Sequence, residues 1–230
     1  GGIILAKANM GEFASGSMSS LGGQTYNPYD LDRTPGGSSA GTGASVAANL
    51  ATIGIGTDTG GSVRIPGTFN SLVGFRPTTG LVSRDGIIPL SETLDTAGPM
   101  TKTVTDAAIM LDVMAGYDPS DPRTAESVGN IPPDGYTSHL DINGLEGARL
   151  GVIREYIEDD PDETGVEAGQ PLDVTEIIES ALHDLSAAGA TIVDPVTIPN
   201  LDELAIQGYV ATSDAPFELE RDLNKYLEER

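Results

Sequence analysis

The chain has 230 residues, 38% of them hydrophobic, with 35 acidic residues against 12 basic ones and no cysteine. A net charge of −23 repels nucleic acid and anionic membranes, so neither is an expected partner. The lack of cysteine excludes a thiol nucleophile, a disulfide framework and thiolate metal sites, and no apolar run approaches the ~20 residues that span a bilayer.

Along the chain, residues 2–6 read as a short buried strand and residues 16–33 as a loop rich in Gly, Ser, Asn and Asp. No basic-then-apolar leader precedes them, so a cytoplasmic location is expected. Residues 39–50 predict a small-residue helix, 51–56 an apolar strand, and 72–76 a strand stopped by Pro77. Residues 103–115 predict an amphipathic helix that Thr103 and Asp106 open as a capping box and Gly116 closes. Residues 117–143 form a long polar connection or lid. A strand over 148–153, an acidic loop, a helix over 171–189 and a strand over 190–193 follow. Residues 202–230 have helical composition without a stop signal. Strands alternating with helices imply an α/β fold with a mixed, mostly parallel central sheet flanked by helices.

The acids are uneven. Residues 36–83 hold only Asp58, whereas residues 155–163 hold six. This reads as a solvated surface, with adaptation to high salt as one form of it and an acidic site for cationic substrates as the weaker alternative. The two histidines offer no obvious base for a Ser-His-Asp triad. His183 falls beside the apolar stripe Ile177, Ile178, Ala181, Leu182 and Leu185 of its helix, and His139 sits in a Gly/Pro/Asp-rich loop. Both are expected to be solvated.

Chemistry concentrates in residues 35–66, in the clusters PGGSSAG (35–41) and GTDTGGS (56–62). Glycines permit backbone conformations that other residues avoid. They also let successive N–H groups converge into an anion-binding nest. A serine just after such a nest has its hydroxyl beside a ready oxyanion hole, which acyl transfer requires. A phosphate cradle fits poorly, because the glycine spacing matches neither dinucleotide nor P-loop motifs and no lysine follows. An aspartic protease is disfavoured too: Asp58-Thr59-Gly60 has no matching second motif, since Asp95-Thr96-Ala97 lacks the glycine. A structural turn remains the default for either cluster alone, but not for the pair.

The block GGSSAGTGASVAANLATIGIGTDTGGSVRIPGTFNSLVGFRPTTG, residues 36–80, resembles the defining segment of the amidase signature family. The resemblance runs from about residue 2 to residue 118 and includes LAKANMGEF, GGQTYNPYD, GLVSRDGIIP and DTAGPM, the last two resembling its peptide amidase branch. It implies Ser62 as nucleophile and Ser38, after a cis peptide bond, as a bridging serine. It also implies the backbone N–H groups of Thr59, Gly60, Gly61 and Ser62 as the oxyanion hole. Asp58 and Arg64 would brace the loop, with Ser39 as a helix cap or hydrogen-bond partner. The family's third member is a proton-relaying lysine on a strand upstream of residue 2; a neutral lysine can serve as base when burial lowers its pKa. Lys7 matches a different, structural lysine of the family.

The resemblance therefore implies an amide hydrolase acting through an acyl-enzyme on a small-molecule or peptide amide, with no metal or cofactor. The start at Gly1, the missing lysine strand and the unstopped tail read as a partial amidase signature domain over residues 1–230. Its core motif is 35–100, a variable region follows residue 118, and the lysine-bearing and C-terminal parts lie elsewhere. Such a segment alone is expected to be nearly inactive. The alternatives are the A subunit of a glutamine-dependent tRNA amidotransferase, which acts with partner subunits, and a non-catalytic binding module without the lysine.

Overall fold

Small residues decide where the first helix lies. Helix α1 (Ala40–Ala47) buries Ala40, Gly41, Gly43, Val46 and Ala47. Its backbone rests directly on neighbouring chain: Gly41 N donates to Asn9 O at 2.9 Å, and a Cβ on Gly41 would stand 2.3 Å from that oxygen. Asn49 follows the helix in the left-handed conformation, φ 61°, which asparagine tolerates. The computed structural model describes residues 2–157, 174–201, 203–204 and 215–228. The chain forms two compact units, one of Gly1–His139 with Gln207–Arg230 and one of Leu140–Ile206.

In the first unit, β1 (Met18–Ser19) and β2 (Gly23–Gln24) make a short antiparallel pair inside the expected loop. After α1 come β3 (Gly54–Asp58), helix α2 (Arg64–Phe69), β4 (Val73–Gly74) and β5 (Thr96–Thr101). The strand order is β3-β5-β4, and β5 runs antiparallel to both neighbours. Strands β3 and β4 thus point the same way, with β5 lodged between them. The mixed α/β architecture holds, but the expected mostly parallel pairing does not hold around the serines. The crossover from β3 to β4 is parallel in direction, and β5 occupies the gap with opposite polarity.

Strand β5 is buried along its whole length. Pro99 sits inside it, opposite Ile55. Proline has no N–H to donate, but its carbonyl still accepts Phe75 N at 3.0 Å. Met100, Val46 and Val63 are fully buried and form the centre of this core. Helix α3 (Val104–Met114) starts as expected at Thr103, whose hydroxyl oxygen accepts Asp106 N at 3.0 Å. Residues 2–6 form no strand. Ile3, Ile4 and Leu5 are exposed, because no ladder partner lies beside them among the described residues and a strand needs one. The long connection contains two 3-10 turns, Pro122–Ser127 and Tyr136–His139. Helix α5 (Ala215–Glu228) belongs to this unit and buries Asp222.

The second unit pairs β6 (Arg149–Gly151) in parallel with β7 (Thr191–Val193), with helix α4 (Val174–Ala187) between them in sequence. Arg154 bonds the carboxylates of Asp194 and Glu179. On α4, Ile178, Leu182 and Leu185 are half-buried, while Ile177 and Ala181 are exposed. The apolar stripe is thus narrower than the sequence suggests. His183 and His139 are both exposed, as expected. Residues 158–163 of the acidic loop, 171–173 of the expected helix, and 202, 205–214 and 229–230 of the tail lie outside the described residues. No helix among the described residues is long and apolar enough to cross a membrane.

Candidate active site

The two glycine-serine loops meet through the backbone. Ser39 N donates to Ser62 O at 3.3 Å, and Gly11 N donates to Ser38 O at 2.9 Å. The Gly37–Ser38 peptide bond is cis, as expected. Gly36 and Gly37 have no room for a side chain: a Cβ would come within 2.9 Å of Pro66 Cα and 2.1 Å of Gly16 O, respectively. Asn70, wholly buried at the C-terminal end of α2, donates from Nδ2 to Pro35 O (2.7 Å) and Pro66 O (2.8 Å), which ties the first loop to the helix that follows the second.

Ser38 is buried, and its hydroxyl has no hydrogen-bond partner among the described residues. Ser62 is half-buried. The expected relay bond between the two hydroxyls is therefore not formed in this structure. An unsatisfied buried hydroxyl costs about 1–3 kcal/mol. Ser39 does not cap α1 through its side chain. Its hydroxyl instead bridges to β3, accepting Thr57 N at 3.0 Å and donating to Thr57 O at 3.2 Å, so the hydrogen-bond-partner reading is the one observed.

Asp58 organises the nucleophile loop. Its fully buried carboxylate accepts Gly61 N (2.7 Å), Val63 N (3.1 Å), Arg64 Nε (3.1 Å) and Nη2 (3.2 Å), and Arg76 Nη1 (2.8 Å). Burial pushes its pKa up. The Arg64 hydrogen bond, the Val63 amide, the Arg64 charge and the Gly61 amide together hold it below the ordinary aspartate value. Of the four amides expected at the oxyanion hole, Gly61 N–H is the one that donates to a side chain, the Asp58 carboxylate at 2.7 Å. Among the described residues, the N–H groups of Thr59, Gly60 and Ser62 have no acceptor. Gly61 itself has φ 139°, which only glycine adopts without strain.

Sequence reasoning missed Arg76 and Asp95. Arg76 bonds Asp58 O as well as its carboxylate, and Nη2 reaches Leu94 O at 2.8 Å. A charge count could have found it: Arg64 and Arg76 are the two cations between residues 36 and 83, where Asp58 is the lone acid. Asp95 accepts the Thr59 hydroxyl at 2.5 Å and lines a cavity of about 440 Å³ with Arg84, Ile87, Glu92, Asp121 and Tyr226. Neither serine lines that cavity. The three lysines are exposed; Lys102 bonds Asn49 Oδ1, and Lys225 pairs with Glu92 at 3.4 Å.

The sequence model of the amidase family matches residues 1–228. The chain belongs to the amidase family. Among its relatives, the glutamyl-tRNA(Gln) amidotransferase A subunit of Rubrobacter xylanophilus is 44% identical over 226 residues, covering 97% of this chain and 44% of that protein. Its namesake from Halothermothrix orenii is 41% identical over 228 residues, covering 98% and 44%. The crystal structure of native peptide amidase from Stenotrophomonas maltophilia superposes with a TM-score of 0.81 at 38% identity, covering 99% of this chain and 45% of that one. The glutamyl-tRNA(Gln) amidotransferase A subunit of Thermotoga maritima superposes at 0.78 with 36% identity, covering 99% and 48%. The chain thus spans less than half the length of these amidase relatives, and its mixed α/β fold is theirs.

Proposed function

We propose that this chain carries the serine nucleophile and the oxyanion pocket of an amide hydrolase. The observation that supports this most is the buried Ser38 hydroxyl, which has no hydrogen-bond partner among the described residues and lies one residue from the backbone bond of Ser39 N to Ser62 O. Ser62 Oγ attacks the amide carbonyl carbon. Its proton passes through Ser38 Oγ to a base, and the N–H groups of Thr59, Gly60 and Ser62 receive the charge on the carbonyl oxygen. The C–N bond breaks, the amine leaves with the relayed proton, and water hydrolyses the acyl-enzyme. A lysine base must be buried to be neutral, and Lys7, Lys102 and Lys225 are all exposed. In this reading the base is the family's lysine, a position that none of these three matches.

Ser62→Ala in the full-length protein should abolish turnover of a good amide substrate, and Ser38→Ala should reduce it by about 10²-fold or more. Wild-type rates in Ser62→Ala would sink the assignment. The relatives' names favour a second reading at the level of substrate: an amidotransferase A subunit that draws ammonia from glutamine and works with partner subunits. Ammonia release from glutamine, compared with release from peptide amides, separates it from a peptide amidase.

A further inference from the structure

Asp58 holds the Gly61 amide directly at 2.7 Å. Gly60 has wide backbone freedom and its N–H has no acceptor among the described residues, so the direction of that N–H must be set at the nearest held residues on either side. On one side, Ser62 O is held by Ser39 N. On the other, Thr59 Oγ1 donates to Asp95 Oδ1 at 2.5 Å.

Asp95 is itself anchored. It is 8% exposed, and Oδ2 accepts Leu90 N at 2.8 Å and Ser91 N at 2.9 Å. Its own N–H donates to Ser91 O at 2.9 Å, closing residues 91–95 as a tight turn. That turn has a second brace to the same strand end, since Arg76 joins Leu94 O to Asp58. It is also held from outside by α5: Thr93 Oγ1 donates to Glu218 Oε1 at 2.7 Å, and Glu92 N donates to Asp222 Oδ2 at 2.7 Å. Thr59 and Asp95 each lie one residue beyond Asp58 and Thr96, the last pair of the β3–β5 ladder. Arg76 holds the Asp58 carbonyl and carboxylate, and Asp95 holds the Thr59 hydroxyl, so the peptide that joins Asp58 to Thr59 has a brace at each end.

We propose that Asp95 is a positioning residue for the reaction, acting through the Thr59 hydroxyl to aim the Thr59 and Gly60 N–H groups at the oxyanion. This rests on the serine-nucleophile reading above. A staple that only held the fold would affect stability and leave the reactivity of Ser62 alone.

The test uses the full-length protein and a fluorophosphonate reagent. The Ser62 Oγ–P bond forms as the P–F bond breaks, fluoride and a proton leave, and the adduct is read by mass. The limiting labelling rate, the half-saturating concentration and Tm are measured for Thr59→Val, Thr59→Ser, Asp95→Ala and the double variant Thr59→Val/Asp95→Ala. Thr59→Val should lower the limiting rate about tenfold or more, less than the loss of a whole donor, with half-saturation moved by less than about twofold. Thr59→Ser should recover most of that loss. The double variant should lose no more than the worse single one, because both changes break one contact. A Thr59→Val rate within about twofold of wild type, or additive losses, overturns the proposal. Ser62→Ala keeps the two ideas apart. If it is labelled like wild type, the nucleophile assignment falls; if labelling is abolished while Thr59→Val stays fast, only the role of Asp95 falls.

Discussion

Asp58 shows how a single buried charge can shape a loop. It is the one carboxylate between residues 36 and 83, it is fully buried, and both cations of that stretch bond to it. Asp58→Asn should cost about 3–5 kcal/mol at neutral pH, the range for removing one partner of a buried ion pair, measured as a fall in the urea midpoint. The pH dependence follows from the lowered pKa. Its stabilising contribution is complete above the unfolded-state value of about 4 and is lost as pH falls through the lower folded value. Asp121, held down first by its hydrogen bond from Arg84, acts in the same direction. Urea midpoints should therefore drop as pH falls below about 4, and Asp58→Asn should drop less steeply over that window. An unchanged acid slope in the variant would show that Asp58 does not set it.

At the scale of elements, legibility in the sequence follows how local the signal is. The start of α3 was readable because a cap is a contact over three residues. Thr103→Ala should cost about 1 kcal/mol, checked by chemical denaturation, and an unchanged midpoint would show that the Asp106 amide finds another acceptor. Helix α1 was readable from its small residues and flanking glycines, with the ends trimmed. Helix α2 was not, because Pro66 and Gly67 stand inside it; proline is tolerated there only because it falls in the first turn. Strand β5 was hidden by Gly98-Pro99, a pair that usually marks a turn. Burial on both faces and the partners Ile55 and Gly56 hold it extended. Residues 2–6 failed in the opposite way: the apolar pattern of a strand is present, but no neighbouring ladder is found among the described residues.

Across the whole molecule, a net charge of −23 sets the balance between cohesion and self-repulsion. Between about 0.1 and 1 M salt the screening length shrinks from ~10 to ~3 Å, so repulsion among surface carboxylates fades while buried pairs such as Asp58–Arg76 are barely screened. Tm should rise with KCl over that range, followed by calorimetry. A flat or falling Tm would mean that the acids are already neutralised by their neighbours.

What the sequence determined by itself is local: the family, carried by a long block of glycines and serines, the two loops that flank α1 and β3, and the cap of α3. The tertiary structure decided which backbone donors remain available. Asp58 takes Gly61 N–H, Asp95 holds the Thr59 hydroxyl, and the Ser38 hydroxyl has no hydrogen-bond partner among the described residues. The Thr59–Asp95 contact depends on β5 entering between β3 and β4. The order of strands in a sheet is set by long-range pairing, which neither composition nor periodicity along the chain encodes.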